Sequence, residues 1–216
     1  MKVKVYNLII VDESGSMSAI HKAAVDGLNE TLQTIQGAQK SHGELQEHLV
    51  TMVFFNSNET RVVIENQPID RVKLLKRDDF SPTACTPLFD AMGSSLSKLR
   101  YQVDHEEKHQ VLVTIITDGE ENASTEYNRK MIKKLVNDLK EQGWVFAYIG
   151  ANQDVHEVAR SMDIDNFYLY DACDEGSRAM STKVNRSRSR FFDRLSRSVR
   201  DSSVDLMNGF FEEDEN

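Results

Sequence analysis

The chain has 216 residues, of which 39% are hydrophobic and 28% are charged, and its formal net charge at pH 7 is −9. This length suits a single α/β domain that buries roughly 70% of the surface of its unfolded chain, and the composition excludes disorder as the general state. The negative charge argues against nucleic acid as a partner, because phosphate contacts require clustered Lys and Arg side chains.

Six apolar segments rich in β-branched residues alternate with segments of helical periodicity, an order typical of a mainly parallel sheet with helices on both faces. The predicted strands cover residues 3–11, 49–55, 61–65, 110–117, 144–149 and 167–170. Only residues 56–60 separate the second strand from the third, and so short a connection cannot hold a helix. We therefore predict a hairpin at this point and one antiparallel strand in the sheet.

Helices are predicted where apolar residues recur at spacings of three and four, over about residues 20–35, 88–99, 131–139 and 155–162. Apart from the apolar start of the chain, no stretch of the sequence approaches the ~18 consecutive apolar residues of a membrane span. The apolar start of the chain resembles a signal peptide only superficially, because the run ends on Asp12 and has no small-residue cleavage site. Cys85 and Cys173 lack the spacing of a disulfide framework or a zinc site. We therefore expect a cytoplasmic protein without membrane association.

The C-terminal part of the chain differs in charge from the rest. Residues 177–200 contain eight basic residues and one acidic residue, whereas the last residues are acidic. Phe192, Leu195 and Phe210 fall at helical spacing, with arginines on another stripe. We therefore divide the chain into a domain over residues 1–176 and a C-terminal helical arm over residues 177–216. The arm is expected to be a helix packed on the domain with a solvated basic face.

Three polar segments lie where predicted strands end or predicted helices begin, which is where open parallel sheets place ligand sites. The first has the sequence D-E-S-G-S over residues 12–16. The second contains Thr86 before Pro87, which suits the first helical turn and so places Thr86 at the N-cap. The third contains Asp118 at the end of the most hydrophobic strand. The candidate metal ligands are Asp12, Ser14, Ser16, Thr86 and Asp118.

These side chains offer two carboxylates and three hydroxyls. Hard cations take oxygen ligands, so the set favours Mg²⁺, with Mn²⁺ or Ca²⁺ as alternatives, whereas the lack of His or Cys argues against Zn²⁺. Considered singly, Asp12 and Ser14 could cap the first helix, Thr86 could cap another, and Asp118 with Gly119 could belong to an ordinary turn. The combination of all three segments is what predicts a metal site. The neighbouring acids expected to lie outside the ligand set are Glu13, Asp90, Glu120 and Glu121.

The same residues resemble the von Willebrand factor type A domain and its metal-ion-dependent adhesion site (MIDAS), written D-x-S-x-S followed by a distant Thr and a distant Asp. The resemblance covers about residues 3–170, and all five positions are intact. It implies a Rossmann-like, doubly wound sheet of strand order 3-2-1-4-5-6. It also implies metal-mediated binding to a protein partner that presents an Asp or Glu. The chain looks closer to the stand-alone intracellular bacterial members of this family than to its extracellular adhesion proteins.

Two other functions are weighed against this binding module. A metal-dependent phosphohydrolase of haloacid-dehalogenase-like type would use Asp12 as its nucleophile, but such enzymes need a second Asp where this chain has Ser14. A nucleic-acid adaptor would use the basic residues of the arm, and its binding would depend steeply on salt. The sequence shows neither a P-loop nor a glycine-rich dinucleotide loop. It therefore favours a metal-dependent binding protein that is not an enzyme.

Overall fold

The sheet of the protein has six strands in a computed structural model that describes residues 2–151, 155–199, 204–207 and 209–212. The strands are β1 (Val3–Asp12), β2 (Gln46–Phe55), β3 (Thr60–Pro68), β4 (His109–Thr117), β5 (Val145–Ala151) and β6 (Asn166–Tyr170). They are hydrogen-bonded in the order β3-β2-β1-β4-β5-β6, and every neighbouring pair is parallel except β2 and β3. The predicted fold class, strand order and antiparallel strand are confirmed.

Helices cover both faces of the sheet. Those in the described residues are α1 (His21–His42), α2 (Leu88–Val103), α3 (Arg129–Lys140), α4 (Val155–Ser161) and α5 (Asp174–Ser198). Val5 and Ile9 of β1 belong to the core beneath α1 and α5, whereas Leu8 and Ile10 belong to the core beneath α2, α3 and α4. Successive side chains of a strand point to opposite faces of the sheet, so these contacts show that β1 is buried on both faces. None of the described helices is apolar over a length that could span a bilayer.

β2 begins three residues earlier than predicted. The prediction missed this start because the first residues of the strand include buried polar side chains. Gln46 and His48 are both fully buried beneath α5. The Nε2 of Gln46 donates to the backbone carbonyl of Phe192 at 2.8 Å, and the ring of His48 meets that of Phe192 edge-on with centroids 4.5 Å apart. Polar residues at buried positions break the apolar pattern from which strand ends are predicted.

α5 also carries a fully buried arginine, which the expectation of a solvated basic face does not predict. The side chain of Arg188 has no exposed surface, and its Nη2 donates to Thr114 Oγ1 at 2.8 Å. Its Nε and Nη1 atoms have no hydrogen-bond acceptor in the described part of the chain. Burial lowers the pKa of Arg188 to about 10, so the guanidinium remains charged at neutral pH. This charge disfavours a second positive charge on His48 in the same buried layer.

We expect acid to destabilise the fold through His48. Burial, with smaller contributions from His42 and Arg188, lowers the pKa of His48 from 6.5 to about 3. The unfolded chain therefore takes up a proton below pH 6.5, whereas the folded chain does so only near pH 3. Stability falls as the pH falls through this window, and the loss between pH 7 and pH 5 is about 2 kcal/mol.

Chemical denaturation at pH 7 and at pH 5 measures this loss. His48→Leu, which removes the titrating group, is expected to reduce the difference between the two free energies of unfolding by about 2 kcal/mol. His105→Gln changes an exposed histidine and should leave the difference as it is in the parent chain. An equal pH dependence in His48→Leu and the parent chain would contradict the assignment.

Residues 204–207 and 209–212, which follow α5, lie against the sheet and include the buried Phe210. This side chain is 1% exposed and packs beside Phe191 of α5, with ring centroids 6.2 Å apart. Asn166 of β6 anchors the segment, because its Nδ2 donates to the carbonyl of Met207 at 3.0 Å and its Oδ1 accepts from the backbone N–H of Phe210 at 2.9 Å. Phe210 therefore lies outside α5, which ends at Ser198, despite its helical spacing. The division of the chain into a domain and an arm stays a prediction.

Candidate metal centre

The three predicted ligand segments meet at the carboxyl ends of β1 and β4, which are neighbouring parallel strands. Gly119 shows how closely they approach. A Cβ atom on Gly119 would lie 3.2 Å from Thr86 Oγ1, 3.6 Å from Ser16 Oγ and 3.8 Å from Asp12 Oδ2. Two residues of the first segment and one of the second thus lie within 3.8 Å of one point on the third, and Gly119 leaves the space between them open.

Four of the five candidate ligands form one chain of hydrogen bonds. Ser16 Oγ donates to Asp118 Oδ1 at 2.5 Å and lies 3.1 Å from Ser14 Oγ. The backbone N–H of Ser14 donates to Asp12 Oδ1 at 2.7 Å, and Thr117 Oγ1 donates to Asp12 Oδ2 at 2.6 Å. Ser14 makes no side-chain cap to the turn that follows it. Its hydroxyl therefore serves the cluster and not a helix end.

Thr86 does not occupy the N-cap position predicted from the sequence. α2 begins at Leu88, and its N-cap residue is Pro87, with φ −83° and ψ 63°. The backbone of Thr86 instead pairs with Asn122, since its N–H donates to Asn122 Oδ1 at 2.9 Å and its carbonyl accepts from Asn122 N at 3.1 Å. The prediction of a cap is wrong because Pro87, with its ψ of 63°, is not in helical conformation and so is not the first residue of the helix. The Thr86 side chain is buried beside the cluster instead.

Two buried carboxylates give this cluster its electrostatic character. Asp12 is fully buried and Asp118 is 4% exposed. Desolvation raises the pKa of both carboxyls, although hydrogen bonds from Thr117 and Ser14 to Asp12, and from Ser16 to Asp118, oppose the shift. In the described residues neither carboxylate forms an ion pair with a Lys, Arg or His side chain. Burial of charges without a partner is costly, and a divalent cation would remove that cost.

The donor set fits a hard cation. All five side chains offer oxygen, and the described residues contain no cluster of three or more His, Cys, Asp or Glu that would suggest a different metal site. The Ser16 residue is exposed while the other four are buried, so the cluster opens to the surface on one side. Oxygen donors around an open position are what Mg²⁺ uses in proteins, where it retains water or takes a ligand from another molecule.

Neighbouring acids hold the ligand segments and do not join the cluster. Glu13 is buried, and its Oε1 accepts from Arg61 Nη2 and from the backbone N–H of Ser81, each at 2.6 Å. Glu121 accepts from the backbone N–H of Phe89 at 2.9 Å, near the start of α2. Asp90 accepts three backbone N–H groups, those of Thr125, Glu126 and Tyr127. These acids therefore act as anchors of the loops, a role for which the sequence offers no spacing signal.

Three solved structures show where this architecture occurs. Proximal thread matrix protein 1 from the mussel byssus, with a zinc-occupied MIDAS motif, matches with a TM-score of 0.58 at 13% identity, over 87% of this chain and 46% of its own. The manganese-loaded Plasmodium vivax TRAP protein matches with 0.57 at 21% identity, over 83% and 71%. The pilus adhesin SpaC from Lactobacillus rhamnosus GG matches with 0.62 at 13% identity, over 89% and 31%.

This chain has the von Willebrand factor type A fold. It spans about half the length of the mussel protein. No family model matches the sequence, and no curated protein does. The zinc and the manganese belong to the mussel and Plasmodium proteins. The case for a metal on this von Willebrand factor type A fold therefore rests on the side chains of this chain.

Proposed function

We propose that the chain is a metal-dependent protein-binding module in which a divalent cation binds a carboxylate of a protein partner. The cation would be Mg²⁺, with Mn²⁺ or Ca²⁺ as alternatives. The residues that would hold it are Asp12, Ser14, Ser16, Thr86 and Asp118. The observation that carries the proposal is the buried pair of carboxylates that lacks a basic partner in the described residues and lies beside three hydroxyls.

The charge and donors of the site explain why the ligand from the partner would be a carboxylate. Asp12 and Asp118 together supply −2, which balances a divalent cation formally, while the hydroxyls supply only dipoles. A bound cation would supply an electrophilic position that an Asp or Glu of the partner can fill. The chain itself orients the donors, because Thr117 fixes one oxygen of Asp12 and Ser16 fixes one oxygen of Asp118. Since Mg²⁺ releases water reluctantly, this contact would contribute specificity and a metal requirement more than affinity.

We propose that this module is cytoplasmic. Cys85 and Cys173 are both exposed and unpaired. Exposed free thiols persist in a reducing compartment, whereas secreted proteins usually pair them. The arrangement thus supports an intracellular partner.

A comparison of captured proteins tests the proposal. The parent chain, immobilised in Mg²⁺, should retain a partner that chelator releases, and Asp12→Ala should retain none. Each acidic residue of that partner is then replaced by the matching amide. One such replacement is expected to abolish the Mg²⁺-dependent part of binding. Binding that survives chelator, or that depends on no single carboxylate, would show that the mechanism is wrong.

We also propose that the chain is not an enzyme, and we expect no phosphatase turnover. A haloacid-dehalogenase-like reaction needs a second carboxylate two residues after the nucleophile, and Ser14 stands there with its hydroxyl 3.1 Å from Ser16 Oγ. Purified protein with Mg²⁺ should leave generic phosphoesters intact over hours. Hydrolysis by the parent chain that is lost in Asp12→Asn would contradict this proposal and favour the phosphohydrolase.

A further inference from the structure

The three ligand segments are joined to one another in a ring of hydrogen bonds. We name them segment A (residues 12–16), segment B (residues 83–87) and segment C (residues 117–122). Segments A and C are joined by the side-chain bonds of Asp12 and Ser16 to Thr117 and Asp118. Segments A and B are joined through their backbones, by Gly15 N to Ala84 O at 3.0 Å and Thr83 N to Glu13 O at 2.9 Å.

Segments B and C are joined through a single residue. Asn122 accepts the N–H of Thr86 on its side-chain Oδ1 and donates its own N–H to the Thr86 carbonyl. These are the hydrogen bonds between the two segments in the described part of the chain. Segment B belongs to no helix or strand, and Ala84 in it has a φ of 61°, in the left-handed region that costs a non-glycine residue energy. Its shape near Thr86 therefore depends on its hydrogen bonds, which are those to Asn122 and to segment A and the two that join Cys85 to Ser57.

We propose that Asn122 is a positioning residue for the cation, an inference that rests on the proposed function. Asn122 sets the distance of the Thr86 hydroxyl from Asp118 by clamping both backbone groups of Thr86. The side chain of Asn122 is not one of the five candidate ligands and would act on the cation through Thr86, whose N–H it accepts. Partners of metal ligands that act in this way typically contribute 10–100-fold to metal affinity.

The clamp should matter more for Mg²⁺ than for Ca²⁺. Mg²⁺ demands near-ideal octahedral geometry at short distances, whereas Ca²⁺ tolerates irregular shells at longer distances. A Thr86 hydroxyl that is free to shift would weaken a Mg²⁺ shell strongly and a Ca²⁺ shell weakly. Asn122 thereby determines which hard cation the module selects.

Calorimetric titration of the full chain with Mg²⁺ alone and with Ca²⁺ alone tests the inference. Asn122→Ala is expected to lower Mg²⁺ affinity by about 10-fold or more and Ca²⁺ affinity by less, so that the Mg²⁺/Ca²⁺ affinity ratio falls. Asn122→Asp keeps the acceptor oxygen and should keep the ratio of the parent chain. The matched control is Ser57→Ala. It removes the hydroxyl that accepts the N–H of Cys85 at 3.1 Å, and Cys85 precedes Thr86 in segment B. It should leave the ratio unchanged.

The outcomes separate positioning from general stability. Because Asn122 is exposed, Asn122→Ala should fold, and its circular dichroism spectrum verifies this before titration. Equal losses of both affinities, or a ratio that also falls in Ser57→Ala, would overturn the positioning role while the metal site stands. A parent chain that binds neither ion would overturn the proposed function and this inference with it.

Discussion

Mg²⁺ is expected to raise the melting temperature of the parent chain, and Asp12→Ala or Asp118→Ala is expected to abolish the rise. A ligand that binds only the folded state stabilises it by about 2.7 kcal/mol at 100 times its dissociation constant, which corresponds to a shift on the order of 5–10 °C for a chain of this size. Thermal unfolding followed by circular dichroism, with Mg²⁺ and with chelator, measures the difference. The metal-free chain should remain folded, because its two apolar cores do not depend on the site.

Glu120→Ala is the matched control for this experiment. Glu120 is exposed and lies two residues after Asp118, so the change removes one negative charge near the site without removing a donor. Its response to Mg²⁺ should equal that of the parent chain. Mn²⁺ and Ca²⁺ extend the comparison, whereas Zn²⁺ is unsuitable because exposed histidines such as His105 can bind it. A full rise in both aspartate variants would remove the five residues from consideration as a metal site.

Phe210→Ala is expected to lower the free energy of unfolding by about 3–5 kcal/mol, the usual cost of truncating a buried aromatic ring. The ring is 1% exposed and fills space beside Phe191, so its removal leaves a cavity beneath α5, while the backbone hydrogen bonds to Asn166 stay available. Denaturant titration at pH 7 measures the loss.

Phe211→Ala is the control for Phe210→Ala, since it is the same truncation at the neighbouring position. Phe211 is only partly buried and contacts Tyr168, with ring centroids 5.7 Å apart. It should cost clearly less, because less apolar surface returns to water. A loss in Phe210→Ala that is no larger than about 1 kcal/mol would show that its ring is not part of the core.

Most of the fold could be predicted because its central strands are runs of buried apolar residues. The run from Val111 to Ile116 reads as a strand buried on both faces, and it is one. The hairpin between β2 and β3 followed from a connection too short for a helix. The order of the strands came from the resemblance, since parallel strands carry no local sign of their neighbours. The start of β2 was missed because Gln46 and His48 are polar residues buried by a helix distant in sequence.

The candidate site could be predicted from spacing only as far as its own donors. Asp12, Ser14 and Ser16 lie on one loop, and Thr86 and Asp118 follow from the motif, so their convergence could be expected. Asn122 could not be found in this way, because its bond to Thr86 spans 36 residues and exists only when α2 and β4 are in place. The expectation that Zn²⁺ is disfavoured rests on ligand chemistry alone. The mussel byssus protein, which has the same fold, holds zinc in its MIDAS motif.

The position of β1 between β2 and β4 has a kinetic consequence. β1 pairs with β2 across one helix, but its pairing with β4 places Val11 beside Ile116 and closes a loop of ~100 residues. The N-terminal half can therefore assemble by local closure, whereas the sheet is completed only after a distant strand arrives. Folding speed falls as contacts become more remote along the chain, so this protein should fold in milliseconds to seconds and not in microseconds. The aspartates at the ends of β1 and β4 become neighbours only when this pairing, the most remote in sequence within the sheet, has formed.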